Sequence, residues 1–229
     1  IKVYTGFGKI NSDKTISIKG EKEESKISAT NIIIATGARS RDIDSLPKDG
    51  EKIIGYRKAM VLEKQPREMI IVGSGAIGVE FAYFYNSMGT KVTLVEYEKN
   101  IAPIEDKDIS KELSKILKKS GINILNSSKV VDSKIVGDKV EVTVESNNKK
   151  SIVNGDVVLS AVGIKSNIEN IGLEEIGIEV ENDKIKVDEF YSTNIENIYA
   201  IGDVVDGPAL AHVASAEGIT CIEKIKGLN

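Results

Sequence analysis

The run Met69-Ile70-Ile71-Val72-Gly73-Ser74-Gly75-Ala76-Ile77-Gly78 sets three glycines in the spacing GxGxxG, directly after an apolar stretch and ahead of a segment with helical character. That spacing suits a dinucleotide pyrophosphate: Gly73 permits a sharp turn, Gly75 leaves room for the phosphates, and Gly78 lets the helix close on the sheet. The phosphates would meet free backbone N–H groups at the positive end of the helix. Taken alone, the same glycines also suit an ordinary tight turn. Glu96 ends the next apolar run, Val92-Thr93-Leu94-Val95, close to the ~20-residue spacing at which an acid accepts hydrogen bonds from the adenosine ribose. A carboxylate there repels a 2′-phosphate, which favours NAD over NADP, although a surface glutamate at a strand end would look the same. Glu80, two residues past Gly78, is equally compatible with an unremarkable helix position.

Alternating strands and helices must present these groups. Pro66 precedes an apolar run at 69–72 too short for a helix; residues 76–88 form a helix with Ile77, Phe81 and Phe84 at core-facing spacing, ended by Gly89. A strand at 91–96, a helix at 107–120 and a strand at 122–125 follow. This alternation predicts a parallel sheet with helices on both faces. After Asn126 the period changes to two, and the runs 129–136, 140–145 and 150–153, separated by Gly137-Asp138 and Asn147-Asn148, predict a three-stranded antiparallel meander. Residues 156–162 make one more buried strand. The flanks supply strands at 2–4, 15–19 and 32–35 around an Asn11-Ser12-Asp13 turn, then strands at 184–188 and 198–201 and a helix from about 210 to 225. Loop-like stretches at 39–51 and 165–182 mark two crossings, giving an inserted domain, 43–164, between flanking segments 1–42 and 165–229.

Three further strings bear on the cofactor: Ile34-Ala35-Thr36-Gly37-Ala38, Ile201-Gly202-Asp203, and Leu210-Ala211-His212-Val213-Ala214 with Glu217-Gly218. With GSGAIGVE they make the chain similar to the FAD- and NAD-linked disulfide oxidoreductases, from about Val3 to Gly227, and most of all to the dihydrolipoamide dehydrogenase branch, to which the LAHxAxxEG string is most particular. The resemblance implies a Rossmann-like α/β FAD/NAD(P)-binding fold whose NAD domain is inserted in an incomplete FAD domain. It implies that Thr36, Gly37 and Ala38 line an FAD site, that Gly8 makes a further FAD backbone contact, that Asp203 hydrogen-bonds the ribityl chain, and that Ala209, Leu210, Ala211 and His212 run under the flavin. For NAD it carries over to Gly73, Ser74, Gly75, Ala76, Ile77, Gly78, Glu80 and Glu96, with Val131 beside the adenine and Gly163 near the nicotinamide. Glutathione-reductase-like relatives usually have alanine at the third glycine and basic residues after the second strand; Gly78 and Glu96 oppose that. One departure is Ile164-Lys165-Ser166-Asn167, which lacks the family's proline after Gly163.

The resemblance also implies parts outside these residues: a CxxxxC pair and a first glycine-rich turn for the FAD pyrophosphate before Ile1, and a dimerisation domain with a His-Glu pair after Asn229. The whole enzyme would be a homodimer serving a 2-oxoacid dehydrogenase complex, passing electrons from dihydrolipoamide through a disulfide and FAD to NAD. The chain then reads as the NAD(H)-binding core of such an enzyme, with no catalytic residue of its own. Two other readings stay open: a stand-alone NAD(H)-binding module without chemistry, and a related NADH-dependent flavin oxidoreductase.

Composition narrows the rest. A single cysteine, Cys221, excludes an internal disulfide, a cysteine zinc cluster and a CxxC pair, so no metal is expected. A formal charge of −4 with no tryptophan argues against a nucleic-acid binder. No apolar run approaches the ~20 residues a membrane helix needs, and no leader opens the sequence, so cytoplasm is the expected compartment.

Overall fold

A computed structural model describes residues 1–21 and 23–228. The chain divides into two compact units, one made of Ser40–Ile164 and the other of Ile1–Arg39 together with the segment from Lys165 onward.

In the Ser40–Ile164 unit, five strands form one sheet in the order Ile53–Ile54, Val157–Ser160, Glu68–Val72, Lys91–Val95, Asn123–Leu125, every neighbouring pair parallel. The strands are apolar at nearly every position because both faces are covered. Met69, Ile71, Val92, Leu94, Ile54 and Leu159 point to one face, where they pack with Ala82, Tyr85 and Leu117 of the helices. Ile70, Val72, Val95, Ile53 and Val158 point to the other, against Val130, Val140, Val142 and Val144. Those last residues belong to the antiparallel meander of Lys129–Val136, Lys139–Ser146 and Lys149–Gly155. The expectation of helices on both faces is therefore corrected. Successive right-handed crossovers that advance in one direction across a sheet put Ala76–Ser87 and Lys107–Lys119 on the same side, and the meander closes the opposite face. Residues 39–51 and those beyond, which lack periodicity, contribute the edge strand Ile53–Ile54 and the one-turn helix Tyr56–Ala59.

Phe84 is the second correction: it is 52% exposed. The helix Ala76–Ser87 is apolar around most of its circumference, so its period does not select a face. Close packing of Gly78 does, turning Gly78, Ala82 and Tyr85 inward at i, i+4 and i+7. The Tyr85 hydroxyl then donates to the Ala59 carbonyl at 2.5 Å.

In the other unit, Phe7–Ile10, Ile16–Lys19 and Glu24–Ile27 form an antiparallel sheet. The first strand was expected at 2–4, but Val3 is 81% exposed and unpaired. A hairpin strand must abut its turn, and the turn closed by Asn11 N–H donating to the Thr15 carbonyl puts Ile10 opposite Ile16. The third strand is mostly polar and lies open at the edge, which hides it from a period-two search. Ile32–Ile34 pairs in parallel with Ile198–Ala200, and Ile10, Ile171, Ile185 and Val204 complete their core. The helix Ala211–Lys226 buries Glu217 and Cys221.

Candidate functional site

In the parallel-sheet unit the three glycines occupy three different environments. Gly73 has φ +97°, and a Cβ on it would lie 2.3 Å from the Ala161 carbonyl oxygen; a Cβ on Gly78 would lie 1.9 Å from the Gly73 oxygen. Around Gly75 a Cβ would meet nothing within 4 Å. The outer two glycines are thus demanded by the packing of turn, helix and neighbouring strand, and the middle one borders open space. Gly75 is also the N-cap of the helix Ala76–Ser87, with no side-chain cap bond. Unsatisfied N–H groups at a helix start attract anions. Ala76 is exposed there, Ile77 half-buried, and Glu80 exposed one turn on.

The glycine turn and the candidate ribose carboxylate are brought into direct contact. Glu96 Oε2 accepts from the Ser74 N–H at 2.9 Å and from the Ser74 hydroxyl at 2.5 Å, and Oε1 accepts from the Glu98 N–H at 2.7 Å. Ser74 is only 1% exposed, with both donors engaged by Glu96. The Ser74 side chain, expected among the cofactor contacts, is turned onto Glu96. Val131 is the residue skipped in the register between Val130↔Val144 and Asp132↔Thr143, a bulge of the kind that re-aims a side chain. Its strand begins next to Glu96, whose carbonyl accepts from the Ser128 N–H at 2.8 Å. Gly163, φ +104°, is exposed two residues beyond Ala161, which abuts Gly73. Glycine turn, carboxylate, Val131 and Gly163 thus all lie at the carboxyl ends of the strands, where open α/β sheets bind ligands.

In the other unit, Thr36-Gly37 follows the strand Ile32–Ile34, and Gly202-Asp203 follows its parallel neighbour. Sequence reading missed the residue that fixes the first turn. Asn167 donates its Nδ2 to the Thr36 carbonyl (3.0 Å) and its N–H to the Gly37 carbonyl (2.8 Å), while the Thr36 hydroxyl donates to the Asn167 carbonyl (2.7 Å). Arg39 donates to Asn167 Oδ1 at 2.9 Å and forks onto Glu169 at 2.7 and 3.0 Å. With Lys165 also bound, these donors hold the Glu169 carboxyl well below the usual carboxylate range. The proline-free segment after Gly163 is fixed by such bonds, including Ser166 hydroxyl to the Asp203 carbonyl at 3.0 Å. Thr36 and Gly8 line one cleft of about 660 Å³ with Phe7, Arg39 and Asn167. Ala38, also expected to line the flavin site, is 4% exposed, its side chain packed inside. Glu217, present in the LAHxAxxEG string but given no role there, accepts the Gly202 N–H at 2.5 Å while 5% exposed. Ala209, Leu210, Ala211 and His212 lie exposed at the start of the last helix, which carries no side-chain cap.

Dinucleotide phosphates fit the parallel-sheet unit, because the space above Gly75 is open and the helix N–H groups there lack a side-chain cap. A flavin fits the other unit in part: the two strand ends lie side by side and Gly202 abuts Ala214 in the first turn of the last helix, but no second GxGxxG run occurs in the sequence. No cluster of potential metal ligands and no helix long and apolar enough to cross a membrane occur among those residues.

The sequence profile of the pyridine nucleotide-disulphide oxidoreductases matches residues 1–218. The chain is 43% identical over 211 residues to the dihydrolipoyl dehydrogenase of Rhizobium etli, covering 92% of this chain and 44% of the relative. To the Bacillus subtilis dihydrolipoyl dehydrogenase it is 40% identical over 240 residues, covering 100% of this chain and 51% of the relative. LpdA from Mycobacterium tuberculosis superposes with a TM-score of 0.89 at 28% identity, over 98% of this chain and 50% of that one. The chain spans about half the length of the curated relatives it matches.

Proposed function

The chain belongs to the pyridine nucleotide-disulphide oxidoreductase family, and we propose that residues 40–164 are the NAD(H)-binding core of a dihydrolipoamide dehydrogenase, with residues 1–39 and 165–229 supplying part of an FAD site. One observation carries this: an open Gly75 at an uncapped helix start, beside a buried carboxylate that belongs to the neighbouring strand. The helix N–H groups bind the pyrophosphate, and Glu96 Oε1 accepts a ribose hydroxyl. A 2′-phosphate brought to the same place meets uncompensated negative charge, which favours NAD over NADP. Val131 flanks the adenine, Gly163 borders the nicotinamide, and Glu80 is a further NAD contact. In the whole protein, a bound flavin supplies the link between dithiol oxidation and hydride transfer to NAD. Toward it, Asp203 and the Thr36-Gly37 turn accept and donate hydrogen bonds, and residues 209–212 line its under-surface. The whole protein's dihydrolipoamide substrate, homodimeric state and service to a 2-oxoacid dehydrogenase complex extend the same proposal.

Calorimetric titration of the 229-residue chain with NADH and NADPH tests the core of it. NADH binds more tightly; equal affinities, or tighter NADPH, overturn the role given to Glu96. Absorbance of the purified chain in the flavin bands tests the second part, with less than stoichiometric flavin expected.

A further inference from the structure

Glu96 does not stand free at the strand end. A carboxylate has about four acceptor positions, and three are filled from within the chain: two on Oε2 by the N–H and hydroxyl of Ser74, one on Oε1 by the N–H of Glu98. Ser74 is itself held, because the Ala102 N–H donates to its carbonyl at 2.9 Å and lies 3.3 Å from its hydroxyl oxygen. Ala102 in turn has φ +45°, and the adjoining Ile101 is fully buried. The residue between the first two motif glycines is therefore built into a buried hydrogen-bonded chain running from Ala102 through Ser74 to Glu96.

We propose that Ser74 is a positioning residue for dinucleotide selectivity: its two donors fix Glu96 Oε2 against the glycine turn, leaving one acceptor position on Oε1 as the group that reads the ribose. The inference rests on Glu96 facing the adenosine ribose, as proposed above. It adds that the buried hydroxyl of Ser74, bonded to Glu96, sets how sharply NAD is distinguished from NADP. Without the hydroxyl the buried carboxylate loses one of its three donors. It then turns to recover a donor, and the ribose-reading oxygen is no longer held in place.

The experiment is fluorescence titration of the full chain with NADH and NADPH, for the native sequence, Ser74→Ala, Ser74→Cys and Glu96→Gln, with thermal melting of each. Cysteine keeps the side-chain volume but is a weak donor, which separates loss of the hydrogen bond from loss of packing. In both Ser74 variants NADH affinity falls about tenfold, the scale of one charge-assisted hydrogen bond, while NADPH affinity changes little, so the ratio of the two contracts. Glu96→Gln brings the two affinities together. If Glu96→Gln removes the preference but both Ser74 variants keep it, the positioning role is overturned and the assignment of Glu96 stands. If Glu96→Gln leaves the preference intact, both fall. A Ser74→Ala chain that binds NADH more tightly overturns the proposal too, since Ser74 would then compete with the ribose.

Discussion

Glu217, midway along the last helix, accepts the backbone N–H of Gly202 at 2.5 Å across fifteen residues of chain. Glu96 holds Ser74 in the same manner in the other unit. In both, a buried carboxylate from a neighbouring element fixes the backbone of a turn at the end of a parallel strand. Buried carboxylates persist when hydrogen-bonded donors satisfy them.

Replacing Glu217 by alanine leaves the Gly202 N–H without its acceptor and opens space beside Gly207. The expected cost is about 2 kcal/mol, the penalty of one unsatisfied buried donor plus lost packing. Denaturant unfolding checks it, with hydrogen exchange locating the loss at residues 202–204. Unchanged unfolding and unchanged Gly202 protection would mean that the turn is held by other contacts, such as Lys184 on the Asp203 carbonyl.

Two of the motif glycines should respond in opposite ways. Gly78→Ala drives a methyl group into the Gly73 carbonyl 1.9 Å away and destabilises by about 3 kcal/mol. Gly75→Ala meets no atom within 4 Å, at φ −65° and ψ −175°, which alanine readily adopts, so stability stays within about 0.5 kcal/mol. NADH affinity nonetheless drops more than about tenfold in Gly75→Ala, because the methyl occupies the space intended for phosphate. Paired thermal melts and titrations settle this; a Gly75→Ala chain that binds NADH normally would place the phosphates elsewhere.

Acid should loosen the Asn167 clasp. Hydrogen bonds from Arg39 and then Lys165 depress the Glu169 carboxyl far below its ordinary value of 4.5. A group whose folded value is depressed contributes stability that is complete above its unfolded value and is lost as pH falls. The contribution therefore declines below about pH 4.5, and it is modest because the ion pairs are about 40% exposed. Glu169→Gln should flatten the pH dependence of unfolding between pH 5 and 2, with little change at pH 7 beyond the lost pair. An identical acid limb in both proteins would exclude Glu169 as a contributor.

Cys221 has no exposed surface, and burial pushes its thiol up from 9.0. Native protein should react with a thiol reagent only as fast as the last helix opens, whereas unfolded protein reacts at once. Immediate stoichiometric labelling of native chain would show that the helix Ala211–Lys226 is not packed as described.

The sequence by itself determined what local chemistry dictates. Apolar runs at 69–72 and 91–95 specify strands buried on both faces, and period two after Asn126 specifies the meander. GxGxxG specifies the strand–turn–helix, because only glycine tolerates φ +97° at Gly73 and a carbonyl pressed against Gly78. Tertiary structure alone decided what depends on partners distant in the chain. Asn167 clasps Thr36 from 131 residues away, and no spacing rule links two such positions. Likewise Ser74 meets Glu96, and Gly202 meets Glu217, only once strands and helices have been laid side by side. Phe84 faces outward, and the meander covers the face once expected to carry a helix. In both cases the pattern of apolar residues says that a surface is buried, while the packing of neighbouring elements decides against what.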